Sequence, residues 1–208
     1  MAWTPDDITA AIRHLRRKDQ VLKGVISQVG PFTLQRDRDH FKMLVRSIIS
    51  QQISGKAAQS IRQKLEALVA PEKINPGNLA ALTQAQLRSA GVSPQKARYL
   101  HDLAAKVDAG TVRLSRTPRM TDGEVIAELV QVTGIGVWTA QMFLMFSLGR
   151  LDVFPYDDLG IRTAIRNLYR LPELPDKQQS LEIANPWRPY ATVASWYCWR
   201  SLDLTEVE

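Results

Sequence analysis

Residues 121–170 read TDGEVIAELVQVTGIGVWTAQMFLMFSLGRLDVFPYDDLGIRTAIRNLYR, and this stretch decides the fold. Thr121 is followed three residues later by Glu124, the pairing of a capping box, so a helix is predicted to start here. Val125, Ile126, Leu129 and Val130 fall at helical spacing and give it an apolar face. Gly134-Ile135-Gly136 then breaks the pattern: glycines permit positive φ and close backbone approach, and Ile135 between them can turn back into the core. A second helix is predicted from Val137 to Leu148, apolar nearly all round and therefore buried, with Gly149 at its end. The N–H groups of such a turn, and of the second helix's first residues, lack intrahelical acceptors and sit at the positive end of the helix dipole. That arrangement suits a phosphate. Asp157 and Asp158 follow Pro155-Tyr156 at the mouth of another helix, predicted to reach about Arg170. A Gly-x-Gly turn alone can serve geometry only, and an Asp at a helix start is most often a cap. The ordered combination carries the weight.

Upstream, Thr4-Pro5-Asp6-Asp7 opens a helix predicted to reach Lys18, and a short helix spans about Val21 to Val29 before Gly30-Pro31. Asp39 caps a helix with Phe41, Leu44, Val45, Ile48 and Ile49 on one stripe. Ser50-Gln51-Gln52-Ile53-Ser54 joins it to a helix through Ala70. Short helices are predicted at 79–82 and 83–90, and a helix capped by Ser93-Pro94 ends at Gly110. Residues 112–120 read as a loop. Downstream, Asp176 caps a short helix, and Asn185-Pro186-Trp187-Arg188-Pro189-Tyr190 opens the last one. No strand signal stands out, so the fold class expected is all-α.

With 208 residues the chain is long enough for a real core. No run approaches a transmembrane span, and Met1-Ala2-Trp3-Thr4 opens no signal peptide, so a cytoplasmic protein without membrane association is expected. A single cysteine, Cys198, excludes an internal disulfide and a four-cysteine iron–sulfur cluster, and three scattered histidines argue against a zinc site. The net charge of +6 points to a polyanionic partner. Residues 1–120 hold 20 Lys and Arg against 9 Asp and Glu, whereas residues 121–208 hold 7 against 12, so the basic surface lies mostly outside the central stretch.

The run Gly134-Ile135-Gly136-Val137-Trp138-Thr139-Ala140, followed by Asp152-Val153-Phe154-Pro155-Tyr156-Asp157-Asp158, resembles the helix-hairpin-helix (HhH-GPD) DNA glycosylases. Their Gly/Pro-rich loop ends in an Asp. Within them the chain looks like the 3-methyladenine DNA glycosylase II (AlkA-like) branch, and the Pro-Trp-Arg-x-Tyr-Ala run from Pro186 is a second match. The resemblance covers roughly residues 33 to 205. It implies a two-lobed helical fold, one lobe being residues 33–150 and the other joining 1–32 to 151–208, with Asp158 in the cleft. The extra N-terminal β domain of the best-known bacterial members is not expected here.

The resemblance also implies roles. The hairpin backbone at Gly134, Ile135, Gly136 and Thr139 would hold a DNA phosphate. The family's catalytic Asp precedes an apolar residue by three, which matches Asp158 with Ile161 and not Asp157 with Gly160. Trp138, Trp187, Tyr156 and Met142 would line the base pocket; relatives often carry an aromatic where Met142 stands. Gln52, beside Gln51, falls where a family wedge residue fills the gap left by the extruded base, a position held by Leu in the best-known member. The stretch Ala90–Ala97, with Lys96, is similar to a family segment near phosphate. No cofactor is required, though a Na+ or K+ held by the carbonyls of Val130, Val132 and Ile135 is a family feature.

The activity implied is excision of alkylated purines (3-methyladenine, with 7-methylguanine, ethenoadenine and hypoxanthine as further substrates) from double-stranded DNA by a monomeric hydrolase. Bifunctional relatives carry a Lys two residues after the second hairpin Gly; Trp138 stands there, so no β-lyase activity is expected. Two alternatives stay open: a non-catalytic hairpin module that binds DNA, and a glycosylase for oxidised or mismatched bases.

Overall fold

The computed structural model describes residues 3–204, and among them every regular element is helical. The chain divides into two compact units, Met1–Arg36 with Leu144–Glu208, and Asp37–Phe143. The first begins with α1 (Pro5–Lys18) and α2 (Gln20–Val29). Thr4 and Asp7 form the capping box that starts α1. The second unit holds α3 (His40–Ser50), α4 (Gly55–Val69), α5 (Pro76–Ala81), α6 (Gln84–Ser89), α7 (Pro94–Asp108), α8 (Asp122–Leu129) and α9 (Val137–Phe143). Asp39, Ser54, Asn75, Thr83, Ser93 and Thr121 each accept a backbone N–H at the start of α3 to α8 in turn. The chain returns to the first unit with α10 (Leu159–Leu168), α11 (Lys177–Ala184) and α12 (Ala191–Leu204).

In the second unit α7 is the hub, packing against α3, α5 and α6, while α3 also meets α4 and α9. Their buried stripes are the apolar positions at helical spacing: Leu44, Ile48 and Ile49 of α3, Leu65 of α4, Leu79 of α5, and Ala97, Leu100, Leu103 and Ala104 of α7. In the first unit α12 packs on α2, α10 and α1. Its core gathers Leu15, Leu22, Ile26, Ile161, Ile165, Trp187, Val193 and Tyr197.

Two expectations are corrected. Residues 112–120 are not plain loop: Leu114–Arg119 winds as a 3-10 helix, closed by the Thr117 hydroxyl on the Leu114 carbonyl at 2.8 Å. The helix predicted over 137–148 is α-helical only to Phe143 and continues as a π-helical turn, Leu144–Leu148. The wide turn closes with the Arg150 N–H on the Leu144 carbonyl at 2.9 Å. Gly149 ends it at φ +71, where the Arg36 side chain packs so closely that an added Cβ would lie 2.5 Å from its Cδ.

Asp19 is the polar keystone of the first unit. Its Oδ1 accepts the N–H groups of Val21 and Leu22, capping α2, and its Oδ2 accepts the Trp187 indole N–H at 2.9 Å and the Tyr169 hydroxyl. Burial, then the Asp19 charge, push the Tyr169 hydroxyl well above its usual range, so the phenol stays a proton donor. The buried Cys198 thiol is likewise pushed up, by desolvation and then by Asp19. Asp19→Asn keeps an oxygen for the cap but turns an amide NH2 toward the buried indole N–H. We expect a loss of about 1–2 kcal/mol for that unpaired donor, read as a lower urea midpoint with an unchanged slope.

Candidate nucleic-acid interface and carboxylate site

The hairpin of the second unit is built as its sequence dictates. Thr121 and Glu124 make both arms of the capping box at the start of α8, and Val130 ends the helix. Val132 N–H bonds back to Leu129 O and Ile135 N–H to Val132 O, each at 3.0 Å, so the turn is a tight succession of short loops. Gly134 takes φ +86; Gly136 does not need the left-handed region. Ile135 is buried, as its place between two glycines suggests. Gly136 is exposed, and the N–H groups of Gly136 and Val137 find no acceptor among the described residues. Thr139 is buried at 4% exposure, while Val137 and Trp138 beside it are exposed.

Neighbours brace this turn. The Gln51 side-chain amide donates to Gly134 O at 2.8 Å. The Asp102 carboxylate accepts Thr133 N–H at 2.7 Å and Lys106 Nζ at 2.8 Å, and Lys106 also donates to Gln131 O at 2.6 Å. Burial works to raise the Asp102 carboxyl, but these donors outweigh it and hold it below the usual carboxylate range. Lys96, in the stretch whose backbone the resemblance places near phosphate, donates its ammonium to the carbonyls of Ile49 and Gln51 at 2.7 Å each, and burial lowers its pKa. It thus closes the end of α3 and fixes the loop carrying Gln52. Gln52 itself is exposed at φ +55, a conformation costly for a residue with a side chain. The carbonyls of Val130 and Ile135 accept no hydrogen bond among the described residues, and that of Val132 takes only the Ile135 N–H.

The carboxylate site belongs to the first unit. Residues 150–153 are tied to the start of α12: the Thr192 hydroxyl donates to Arg150 O at 2.7 Å and accepts Val153 N–H at 3.0 Å. Asp152 accepts Arg188 Nη1 at 2.7 Å and Ala191 N–H at 3.3 Å. Phe154 packs edge-on to Trp187, its centroid 5.5 Å away. The chain then turns, with Asp158 N–H on Pro155 O at 3.0 Å, and Asp158 caps α10. The two acids differ in environment: Asp157 is exposed, whereas Asp158 is 9% exposed. Asp158 Oδ1 accepts both the Ile161 N–H and the Trp199 indole N–H, each at 2.8 Å. Trp199 carries no signal in the sequence; it is a tertiary partner from the far end of the chain.

The aromatic positions separate. Trp138 is 43% exposed. Tyr156 is half-buried with the Lys177 ammonium 4.4 Å above its ring. Met142 is buried at 4%. Trp187 corrects the expectation of a pocket role: it has no exposed surface, sits in the core of its unit and spends its N–H on Asp19, so it has no free face for a base.

Among the described residues, an all-helical fold with a braced helix–turn–helix whose amides face outward, followed by a capped carboxylate, is the architecture of a helix-hairpin-helix protein with an anion site at its turn. The profile of the HhH-GPD superfamily of base excision DNA repair proteins matches residues 45–189. The chain belongs to that superfamily. DNA-3-methyladenine glycosylase 1 of Schizosaccharomyces pombe is 32% identical over 204 residues, 96% of this chain and 90% of that protein. DNA-3-methyladenine glycosylase 2 of Escherichia coli is 28% identical over 88% of this chain and 67% of its own length. Among solved structures, the S. pombe enzyme in complex with abasic DNA superposes with a TM-score of 0.86 at 31% identity, over 96% of this chain and 99% of that one. A DNA-3-methyladenine glycosidase from Bacillus halodurans gives 0.83 at 34% identity, over 95% and 91%.

Proposed function

We propose that the protein is a monofunctional DNA glycosylase that hydrolyses the N-glycosidic bond of alkylated purines, 3-methyladenine foremost. The observation that carries this reading is the Asp158 carboxylate, buried where its neighbour Asp157 is exposed and accepting the Ile161 and Trp199 N–H groups on one oxygen. The similarity to 3-methyladenine glycosylases along nearly the whole chain supports the substrate class.

The outward amides of Gly136 and Val137 grip a phosphate, a contact that fixes register and carries no sequence information. Gln52, on a loop locked by Lys96, fills the space of the extruded nucleotide. Alkylation at a ring nitrogen makes the purine cationic and a good leaving group, so little acid catalysis is needed. As the bond to C1′ breaks, the sugar becomes oxocarbenium-like, and Asp158 stabilises that charge and orients the attacking water. Trp138, with an exposed ring, is the remaining indole for stacking on the cationic base. It also stands where lyases keep their amine, so no Schiff base forms. The carbonyls of Val130, Val132 and Ile135 are hard oxygen donors from one turn and fit a monovalent cation, which would add positive charge beside the phosphate.

The test is base release from methylated duplex DNA, resolved by chromatography. A 3-methyladenine peak without a borohydride-trapped protein–DNA adduct is expected. Binding of that DNA without release of any base would replace the reading with a non-catalytic module, and a trapped adduct would remove the monofunctional assignment.

A further inference from the structure

We infer that Trp199 positions the carboxylate of Asp158 for the chemical step, and that Gly160 lacks a side chain so that the two can meet. The inference rests on the reading of Asp158 as the catalytic carboxylate. A helix cap needs only a backbone donor: Asp39 and Asp176 cap α3 and α11 through one N–H each, from Lys42 and Gln179. Asp19 also takes an indole, but on its other oxygen and inside the core of its unit, with Oδ1 left to the cap. Asp158 has that donor in Ile161 and a second, from another helix, on the same oxygen. Oδ1 lies off the Cβ–Cγ axis, so each donor to it resists rotation of the carboxylate about that bond. Two donors from separate helices, α10 and α12, each 2.8 Å from Oδ1, restrain it more tightly than a cap alone.

The chemistry of the second donor matters. An indole N–H is a neutral donor that accepts nothing, so it orients the carboxylate without offsetting its charge, as Arg or Lys would. That charge is what a developing sugar cation requires. Trp199 is half-buried and its own placement is set by Phe146, whose ring lies 5.8 Å away at 36°. Gly160 completes the arrangement. A Cβ there would lie 3.1 Å from Asp158 Oδ1, 3.1 Å from Trp199 Cδ1 and 3.2 Å from Trp199 Nε1, tight against donor and acceptor at once, so one or both must shift. Its backbone needs no positive φ, so conformation does not explain the missing side chain.

Trp199→Phe keeps an aromatic ring against Phe146 and removes the N–H; Gly160→Ala crowds the pair from one side while changing neither. Both are compared with wild type and Asp158→Asn in single-turnover base release. Binding is measured to two DNA duplexes, one with a neutral tetrahydrofuran abasic nucleotide and one with a cationic pyrrolidine abasic nucleotide. For both new variants we expect base release to slow about 10- to 100-fold, the scale of a hydrogen bond to a charged group. Affinity for the pyrrolidine duplex should fall by a similar factor, with affinity for the tetrahydrofuran duplex unchanged. A merely structural Trp199 would weaken both duplexes alike, and that result overturns the inference. So does wild-type release by both variants beside an inactive Asp158→Asn, which leaves the catalytic reading intact. Should Trp199→Phe fail to fold, Gly160→Ala decides alone. Full activity in Asp158→Asn would remove the catalytic reading and the inference with it.

Discussion

Asp158→Asn should fold like wild type, bind DNA like wild type and release alkylated base at least about 100-fold more slowly. The substitution is chosen because Asp158 has a plain structural duty: it caps α10 by accepting the Ile161 N–H. If capping were its whole role, Asn would be nearly neutral, since Asn and Asp are equivalent caps. Its amide oxygen can also keep the Trp199 N–H as partner. What Asn cannot supply is the negative charge that the proposed mechanism sets against the cationic sugar. Thermal unfolding reports the cap, and base release under single turnover reports the charge. Asp157→Asn is the control; Asp157 is exposed, and release should change less than about twofold. Wild-type release by Asp158→Asn, or its loss in Asp157→Asn, would mean that the wrong carboxylate has been assigned.

Much of this molecule is legible in the chain because its signals are local. Thr4-Pro5, Ser93-Pro94 and Thr121 with Glu124 each announce a helix start within four residues, and each is a cap in the structure. The apolar stripe of α3 is likewise a helical period written into the sequence. Features that depend on distant partners left no such trace. Trp187 reads as an aromatic of the recognition run, but its fate is set by Asp19, 168 residues away, whose buried carboxylate takes the indole N–H. Trp199 reads as one more helix residue, yet it reaches across 41 residues to Asp158. The π turn at Leu144–Leu148 is hidden for another reason: an all-apolar run has the same composition whether wound as α or π. Lys96 could be placed near the start of a helix but not matched to its acceptors, the two carbonyls that end α3.

The two hairpin glycines, equivalent in the sequence, should part company when each is replaced by alanine. At Gly134 the φ of +86 is costly for any L side chain, and an added Cβ would lie 2.2 Å from Cδ2 and 2.4 Å from Cγ of Tyr99. A ring packed on a backbone cannot retreat like the tip of a lysine, so the turn must move. Moving it also strips the Gly134 carbonyl of its Gln51 partner. Gly134→Ala should therefore lose more than about 3 kcal/mol of stability, at the diagnostic end for single substitutions. Affinity for undamaged duplex DNA should fall with it. Gly136 has ordinary φ and nothing within 4 Å of an added Cβ, so Gly136→Ala should stay within about 0.5 kcal/mol of wild type in urea unfolding. Its methyl group, however, would stand on the exposed face proposed to meet a phosphate, and one charge-assisted hydrogen bond lost there is about tenfold in affinity. Binding is compared at a single fixed salt concentration, because phosphate contacts are salt-dependent. A stable Gly136→Ala that binds duplex DNA as tightly as wild type would show that this turn is bracing and no phosphate grip. Wild-type stability in Gly134→Ala would mean that Tyr99 does not hold the turn closed.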